Sequence, residues 1–498
     1  MIPKFPRAAA SYESFRRWIF SSARPSVRVA EPRDSSEGEL EIQARWFGGE
    51  FGRDFVGVDG ERIEIVQFGH WNHAAGPDFT EAAVKIDGRL LAGPIELDLD
   101  VRDWESHGHG VNAAFEETVL HVFTDGPSWN RFYTKSSSHR RICQLQLPQY
   151  AWSQGPPDFL PEAFPGRCLS PLSRMTDPEV DSLLLSAAQY RLQNKAGRFR
   201  VMAGVTSREQ ALFQGVAEAL GFRSNKTAMA ILAQRCPVEE LSAMSPIDSE
   251  ARLFGVAGFL DHELVAERAS ADGKVYLREL WDRWWKVRGD VEPLRSRAIP
   301  WCFSGNRPLN HPQRRVGALA AIAAHWELIS PLWEKEVNNL ERNVNNSLKN
   351  LNHPFWENHY TLQADPASGR VRLLGRDRLR DLLGNVVFPG AIGMAGEAGC
   401  TGQEELLWSQ YLALRNVDSN QKLRRAGLRL FGPDEKRRKL FTAYYHQQQG
   451  LLQIYEDFCL EDVSDCEHCP FPEQLLQWQD IDRRSGASRG RSEAVSLQ

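Results

Sequence analysis

The spacing of hydrophobic residues changes along the chain, and this change constrains the fold more than any other feature. Between residues 51 and 125, apolar and polar residues alternate in short runs such as FVGVDGERIEIVQF. From about residue 175, apolar residues recur every three or four positions, as in PEVDSLLLSAAQYRLQNKAGRF. The first spacing is typical of β-strands and the second of α-helices. We therefore predict an N-terminal domain that contains a sheet, followed by a large all-helical domain.

Two hairpins are predicted in the alternating region. Asp59-Gly60 marks the turn of the first, and DGR at 87–89 separates TEAAVKI from LLAGPIELDLDV in the second. Asp-Gly pairs favour the left-handed turn conformations that join antiparallel strands. A helix over 37–47 is expected before the hairpins, and a short helix around Val111 to Glu116 before a last strand, ETVLHVF. The predicted order is αβββαβ, which belongs to the fold class α+β or α/β.

The length of 498 residues favours two or three domains, because a single hydrophobic core rarely grows to this size. The start of the chain is rich in Arg, Ser and Pro, and its end is polar, so both are predicted to be flexible. The predicted organisation is a flexible lead-in with one short helix over 1–36, an α/β domain over 37–150, a Pro-rich linker over 151–174, a helical domain over 175–480 and a disordered tail over 481–498.

Charge and hydropathy exclude several classes of partner. The net charge of −5 gives no chain-wide attraction for polyanions, so nucleic acid, a candidate partner, requires a local basic patch. No run approaches the roughly 18 apolar residues that cross a bilayer, so no membrane partner is expected. The start of the chain also lacks the continuous apolar stretch of a secretory signal, and eight cysteines are too few for a disulfide scaffold. These features predict a cytoplasmic protein.

Carboxylates are concentrated in and before the second hairpin. Asp78 follows Pro77. Glu96, Asp98 and Asp100 alternate with apolar residues along the returning strand, so they share one face of it. Three carboxylates on one face repel one another unless water or a cation screens them, and Mg²⁺ or Mn²⁺ prefers such oxygen ligands. The sequence predicts a metal site here, and the alternative is an acidic face that only contacts solvent.

The register of the second hairpin decides whether Asp78 reaches the other acids. With a two-residue turn at Asp87-Gly88, Asp78 falls on the apolar face, away from Glu96. One bulged residue near Gly93-Pro94 reverses this facing, because a bulge shifts the alternation by one residue. Asp78 then lies opposite Asp98 with Glu96 beside it. The predicted site depends on this bulge or on an equivalent loop at Asp78.

Several motifs resemble those of a bacterial family, the domain-of-unknown-function family 2851. GHWNHAAGPDF, GPIELDLDVRDWESHGHG and ETVLHVF are similar to the family's N-x-x-x-GPDF motif, VEIH strand, DW-x-x-H-x-H loop and ILHV strand. NRPLNHPQRR, PFWENHY and GNVVFP continue the resemblance through the helical part. It covers nearly the whole chain beyond about residue 37, and it implies kinship rather than a function, since the family has no established activity. Asp98 stands where the family has histidine.

The N-terminal part also resembles the PD-(D/E)XK nuclease superfamily, whose restriction-endonuclease-like core has the order αβββαβ. The resemblance implies that Glu39, Asp78 and Glu96 bind Mg²⁺ or Mn²⁺. It also implies hydrolysis of nucleic-acid phosphodiesters, in which the ion activates a water molecule and stabilises charge on the phosphate. The chain departs from this superfamily at Asp98, because the nucleases have lysine at that position.

Histidines that follow the second hairpin are candidates for the role of this lysine. His107 and His109 lie in the segment DWESHGHG, where Asp103 is able to orient one of them. A histidine transfers protons efficiently near neutral pH. The alternative is a structural loop in which Trp104 packs and both histidines only form hydrogen bonds. His121, inside the apolar run ETVLHVF, is interpreted as a core residue.

Three cysteines in the C-terminal part form a second candidate metal site. Cys459, Cys466 and Cys469 have a C-x6-C-x2-C spacing, and the C-x2-C pair places two thiolates on one ion. The predicted cofactor is zinc or an iron–sulfur cluster, and the spacing resembles that of iron–sulfur-stapled recombination nucleases, which have a fourth cysteine upstream. The alternative is a set of reduced cysteines without a metal. The candidates for a fourth ligand are His468, His446, Cys400 and Cys168.

Three arginines at a predicted helix start have two interpretations. Arg307 precedes Pro312, which suits the first turn of a helix, and Arg314 and Arg315 follow it. They either bind phosphate groups there or form ion pairs that hold two helices together. We expect the structural role.

Three functions stay open at this point. The favoured one is a metal-dependent nuclease with the catalytic residues Asp78, Glu96, Asp98, His107 and His109. The second is a catalytically degenerate, nuclease-derived protein that binds nucleic acid or acts as a scaffold, and Asp98 in the lysine position favours it. The third is a metal hydrolase that uses Asp103, His107 and His109 on another substrate.

Overall fold

The computed structural model divides the chain into two units. The sheet unit contains Ser11–Ala187, Ser419–Thr442 and Gln447–Gln498, and the helical unit contains Met1–Ala10, Ala188–Asp418 and Ala443–His446. The structure describes residues 7–17, 39–49, 51–72, 76–126, 132–147, 165–222, 225–260, 269–291, 298–303, 308–334, 337–349, 351–415, 421–461, 466, 469–475 and 478.

These units differ from the contiguous domains predicted above, because two C-terminal segments join the sheet unit. Aromatic packing in the sheet unit accounts for part of this difference. The ring of Phe15 contacts those of Phe458, Phe471 and Trp478, with centroid separations between 5.5 and 6.0 Å. Hydrophobic periodicity reports local structure only, so it does not reveal contacts between such distant segments.

One mixed sheet forms the centre of the sheet unit. Its strands are β1 Asp54–Val56, β2 Arg62–Gln67, β3 His70–Trp71, β4 Phe79–Ile86, β5 Arg89–Asp100, β6 Leu120–Asp125 and β7 Cys143–Gln146. They lie in the order β1-β2-β4-β5-β6-β7, and β3 pairs with the start of β4. Pairs from β1 to β5 are antiparallel, whereas β5, β6 and β7 are parallel. This sheet, followed by a largely helical region, confirms the α+β class.

Both predicted hairpins are present. β1 pairs with β2 around Gly60, whose φ is 90°. β4 and β5 meet at Asp87 and Gly88, with φ values of 49° and 82°, and Ile86 pairs with Arg89. Two consecutive left-handed residues give the tight turn whose twist matches that of the strands. The Asp-Gly signals therefore located both turns correctly.

The predicted bulge at Gly93-Pro94 is wrong, because the irregularity lies on the partner strand. Phe79 pairs with Ile95 and Ala82 with Gly93, so the extra residue belongs to β4. Glu81 in this bulge has a φ of 58°. Gly93 has a different role, since a Cβ there would lie 2.6 Å from the carbonyl oxygen of Glu117. The bulge on β4 shifts the register the other way and brings Asp78 beside Glu96 instead of opposite Asp98.

The connection from β5 to β6 also differs from the prediction. In place of a helix around Val111 to Glu116, the chain forms a short α-helix, Asp103–Ser106, and two 3₁₀ turns, His109–Val111 and Ala113–Phe115. The strands β3 and β7 were not predicted, because they are too short to show an alternating pattern.

The core of the sheet unit lies between the sheet and the predicted N-terminal helix, which spans Glu39–Gly48. Ile42 and Trp46 are fully buried and one helical turn apart, so they face the sheet together. The Trp46 ring contacts Phe55 and Phe68 at centroid distances of 5.6 and 5.4 Å. Ile95 and Leu97 belong to the same core, as the alternation along β5 predicted. The acids of β5 therefore face away from this core.

The helical unit contains most of the helices predicted from the periodicity. Its helices are Arg208–Leu220, Lys226–Arg235, Val238–Ser242, Pro246–Val256, Ala271–Val291, Pro312–Ala323, Trp326–Glu334, Leu340–Leu348, Arg376–Leu382, Phe388–Glu397 and Thr401–Ala413. Further helices are Arg7–Arg17, Leu169–Arg174, Asp177–Val205, Gln421–Phe431, Glu435–Leu440 and Tyr445–Tyr455. None of the helices in the described ranges is both long and apolar enough to cross a bilayer.

Arg314 has a structural role in the helical unit. Its guanidinium is fully buried and donates to the backbone carbonyl oxygens of Trp356, His359, Val371 and Arg372. Arg314 therefore has a structural role, as expected, but the predicted ion pairs are wrong for this residue, because its partners are carbonyl groups rather than acidic side chains. These bonds fix the segment 356–372 against the helix Pro312–Ala323. Arg307 lies outside the described residues.

We expect Arg314→Leu to lower the free energy of unfolding of the helical unit by about 3 kcal/mol or more, because several buried carbonyl groups lose a charged donor. Arg314→Lys should be intermediate, since an ammonium group reaches fewer of these oxygens. Thermal unfolding followed by circular dichroism measures the change, with Arg342→Leu at an exposed position of Leu340–Leu348 as the control. Equal melting temperatures for the Arg314→Leu and Arg342→Leu variants would contradict this role.

Candidate metal centre

Two carboxylates of β5 are buried rather than solvated. Glu96 is 5% exposed and Asp98 is 1% exposed. Asp100, the third acid on this face, lies apart from them and binds the guanidinium of Arg102 at 2.6 Å. This hydrogen bond lowers the pKa of the Asp100 carboxyl. A buried carboxylate is costly unless charged or donor groups surround it, so the alternative of an acidic face in contact with solvent does not describe Glu96 and Asp98.

The loop before β4 is fixed to β5 by two reciprocal hydrogen bonds. The N–H of Asp78 donates to Oε2 of Glu96 at 2.9 Å, and the N–H of Leu97 donates to Oδ2 of Asp78 at 3.1 Å. The two predicted acids therefore lie side by side, on the same edge of the sheet. The bulge on β4 makes these hydrogen bonds possible, because it sets the register that brings Asp78 beside Glu96.

A rigid turn presents the two loop histidines to the same place. Trp104, in the short helix after β5, is buried and donates its indole N–H to the carbonyl oxygen of Lys135 at 3.0 Å. Gly108, with φ 74°, then reverses the chain between His107 and His109. The ring of His109 stacks on Phe115 with a centroid distance of 4.0 Å. Aromatic packing thus fixes His109, and the turn at Gly108 presents His107 beside it.

Nitrogen and oxygen ligand atoms converge at this turn. Nδ1 of His107 lies 3.3 Å from Oδ1 of Asp98, and Nε2 of His109 lies 3.9 Å from the same oxygen. Nε2 of His109 is also 3.1 Å from Oε1 of Glu96. One ligand atom from each of Asp98, His107 and His109 lies within 4.8 Å of the other two. His107 is 49% exposed and therefore opens the cluster to solvent.

A chain of buried hydrogen bonds supports Asp98 from behind. Nε2 of His121 lies 3.1 Å from Oδ2 of Asp98, and its Nδ1 lies 2.6 Å from Oγ1 of Thr134. The side-chain amide of Gln144 donates to the same Thr134 oxygen at 2.9 Å. Because a carboxylate oxygen only accepts, the Nε2–H of His121 donates to Asp98. With one proton on the ring, Nδ1 then accepts from the Thr134 hydroxyl. This chain leaves Oδ1 of Asp98 facing the two loop histidines.

Sequence reasoning missed part of this chain. It interpreted His121 as a core residue, which is correct for its burial but omits its contact with Asp98. Parallel pairing of β5 and β6 places His121 beside Glu96, and β7 supplies Gln144. The parallel pairing was not predictable from the alternation alone, and nothing in the sequence marked Thr134.

Two other predicted contributions have different positions. The carboxylate of Asp103 accepts from the N–H of Asp100 at 3.1 Å and from the Ser106 hydroxyl at 3.2 Å, so these contacts hold the turn after β5 instead of orienting a histidine. Lys85 of β4 pairs with Glu64 of β2 at 2.9 Å. The side chain of Glu39, the third predicted metal ligand, lies outside the described residues.

The donor set determines which ions this cluster suits. Two imidazoles and a carboxylate favour Mn²⁺, Fe²⁺, Co²⁺ or Zn²⁺, whereas Mg²⁺ prefers oxygen ligands alone. The ligands of this cluster therefore differ from the predicted set of Glu39, Asp78 and Glu96. Glu96 lies between the two sets, since it contacts both Asp78 and His109. The predicted cysteines Cys459, Cys466 and Cys469 line a separate cavity of the sheet unit.

Comparisons with known proteins identify the family but no activity. No curated protein and no solved structure matches the chain significantly. One family model matches residues 46–415, which is more than half of the chain and includes every residue of the cluster around Asp98. The chain therefore belongs to the family described as "Protein of unknown function (DUF2851)".

Proposed function

We propose that this protein is a metal-dependent phosphodiesterase that acts on nucleic acid. The observation that supports it is the convergence of Asp98, His107 and His109, with Glu96 in contact with His109, at one partly open position of the sheet. Such a group of ligands is suited to a divalent ion. A bound ion would lower the pKa of a water molecule and stabilise negative charge on a phosphate group.

Different residues would bind the ion and accept the proton. Asp98, His107 and His109 would hold the ion, and His121 keeps Asp98 in its orientation through the hydrogen bond to Oδ2. Glu96 lies next to this position and would accept a proton from a water molecule there, since its Oε1 faces the cluster and its Oε2 accepts from the N–H of Asp78. Glu96 therefore replaces the lysine of the nucleases as the group that handles the proton.

The order of the sheet supports the choice of phosphodiester chemistry. The helix Glu39–Gly48, the antiparallel strands β2, β4 and β5, and the parallel strand β6 occur in the order of the PD-(D/E)XK core that the sequence resembles. The short strands β1 and β3 are additional, and short turns replace the helix before β6. Asp78 precedes β4 and Glu96 lies in β5, in the positions of the two superfamily acids. The histidines of the loop are the feature in which this chain departs from that pattern.

A local basic pocket supports a polyanionic substrate. In the helical unit, a cavity of about 320 Å³ is lined by five basic side chains and by the aromatic rings of Phe199 and Phe222. Two acids, Glu218 and Asp381, also line it, so positive charge predominates. The basic residues are Arg191, Lys195, Arg198, Lys226 and Arg378. Because the whole chain has a net charge of −5, such a local patch is required for binding nucleic acid.

The competing function is binding of nucleic acid without catalysis, and the same pocket supports it. Asp98 in place of lysine favours this alternative. The burial of Glu96 and Asp98 favours an active site, because a protein that only binds has no use for two buried carboxylates that desolvation makes costly. Metal binding and cleavage separate the two functions.

The first test measures metal binding with Mn²⁺, which thiolates bind weakly, by titration followed by electron paramagnetic resonance. We expect one Mn²⁺ per chain. Thr134→Val should weaken binding by about 10- to 100-fold, because it removes the hydroxyl group that orients His121. His109→Ala should weaken it further. Glu117→Gln, an exposed acid of the same connection, is the control, and wild-type affinity in the His109→Ala variant would exclude this metal centre.

The second test measures cleavage of labelled single-stranded and double-stranded DNA and RNA with Mn²⁺ or Mg²⁺. We expect wild-type cleavage that a chelator abolishes, and a rate at least about 100-fold lower for Glu96→Gln, because the proton acceptor is lost. The Glu117→Gln variant should cleave as the wild type does. If wild type and Glu96→Gln bind nucleic acid equally and neither cleaves it, the binding function replaces the proposed one.

A further inference from the structure

Four cysteines from two distant parts of the chain line one cavity in the sheet unit. The cavity has a volume of about 120 Å³, and its walls include Cys168, Cys459, Cys466 and Cys469. Cys168 directly precedes the helix Leu169–Arg174, whereas Cys459 lies in the π-helical turn Glu456–Glu461. All four are thiols rather than disulfide partners. Four thiols around one cavity match the full ligand set of a structural metal site.

Backbone contacts bring Cys168 and Cys466 to the same place. Around the position that a Cβ on Gly166 would occupy, Sγ of Cys168 lies at 3.1 Å and Sγ of Cys466 at 3.5 Å. The N–H of Arg167 donates to Sγ of Cys466 at 3.4 Å, and hydrogen bonds of this kind stabilise thiolates in metal centres. The N–H of Gly166 donates to the carbonyl oxygen of Arg429 at 2.8 Å, which fixes this segment. The glycine leaves space for both sulfur atoms.

The other two cysteines, Cys459 and Cys469, lie in segments that contact each other. Sγ of Cys469 lies 3.9 Å from the carbonyl oxygen of Phe458, the residue before Cys459. Arg429 and Arg167 line the cavity as well, and Arg167 pairs with Glu473 at 2.7 Å. Arg429 is therefore the cation best placed to offset the negative charge of four metal-bound thiolates.

Cys168 is the fourth ligand that the structure selects among the candidates from the sequence. It lines the same cavity as the other three cysteines and is buried. Cys400 and His446 belong to the helical unit, and His468 lies outside the described residues.

The separation of the sulfur atoms distinguishes one ion from a cluster. Four thiolates on a single zinc ion lie about 3.8 Å apart, because each Zn–S bond is about 2.3 Å in a tetrahedron. Among the described residues, which include all four cysteines, the group of three ligand atoms that lie within 4.8 Å of one another is Asp98, His107 and His109. No three of the four sulfur atoms belong to such a group, so a single zinc ion would require them to move closer together. An iron–sulfur cluster requires the wider spacing, since its cysteines bind different iron atoms.

We propose that Cys168, Cys459, Cys466 and Cys469 bind a [4Fe–4S] cluster that joins the segment at 166–168 to the segment at 456–469. Each thiol loses its proton when it binds iron, so that four thiolates hold the preformed iron–sulfide core. The cluster is structural in this arrangement, because the cavity lining contains none of the residues around Asp98. It closes a loop of nearly three hundred residues and so lowers the conformational entropy of the unfolded chain. The sheet unit is thereby stabilised relative to the unfolded state.

The test uses the full chain, purified without oxygen and reconstituted with ferric iron, sulfide and a thiol reductant, which supplies the two electrons that bring the core to two ferrous and two ferric ions. We expect about four iron and four sulfide per chain, a broad visible absorption band, and a paramagnetic signal after reduction with dithionite. Cys168→Ser and Cys466→Ser should each lose most of the iron and lower the melting temperature. The matched control is Cys400→Ser, an exposed cysteine of the helical unit, which should keep the full iron content.

Three results would overturn the proposal. One zinc ion per chain in place of iron would assign the cysteines to a single ion, and a protein without iron after reconstitution would exclude a cluster. Full iron in the Cys168→Ser variant would exclude Cys168 as a ligand. Loss of iron counts as support only in variants that keep wild-type circular dichroism and bind Mn²⁺ as the wild type does, and a variant that fails this criterion is replaced by Cys469→Ser.

Discussion

Two carboxylates that the fold withdraws from water, Glu96 and Asp98, determine the arrangement around β5. Desolvation of a carboxylate costs several kcal/mol unless donors surround it. Each donor comes from a different element: the bulged start of β4 brings the N–H of Asp78, the turn after β5 brings His107 and His109, and β6 brings His121. The bulge, the glycine turn and the parallel pairing of β5 with β6 together bring these donors to the two carboxylates.

Much of the fold was predictable from local signals. The two Asp-Gly turns, the alternation along β5 and the helical spacing beyond residue 175 located most elements correctly. The errors arise where neighbouring segments decide the structure. The bulge lies on β4, while Gly93 on β5 makes room for the segment 117–119. The connection after β5 forms short turns in which Trp104 and Phe115 bury their rings. Neither contact can be inferred from the local sequence of the segment whose structure it affects.

The candidate site shows the same distinction between residues that local sequence identifies and residues that only tertiary contacts identify. Side-chain chemistry marked Asp78, Glu96, Asp98, His107 and His109, and the structure brings all five to one edge of the sheet. Thr134 and Gln144 carry no chemical signature, since they act only through their distance to His121. Cys168 was one of four equal candidates from the sequence, and only the contact between the segments at 166–168 and 466 singles it out. Sequence patterns reveal what a residue is able to do, whereas its partners follow from the fold.

The composition of the sheet unit from separated segments has a consequence for the order of folding. Residues 421–431 and 451–475 complete the unit, yet the ribosome synthesises them after the whole of 188–418. The strands around Asp98 therefore emerge long before the partners that cover Phe15 and Cys168. During translation the apolar surface around Phe15 and Cys168 therefore stays uncovered until the helical unit has been synthesised. Contacts between such distant positions form slowly, so the aromatic surface around Phe15 stays exposed for longer than it would in a unit made of one continuous segment.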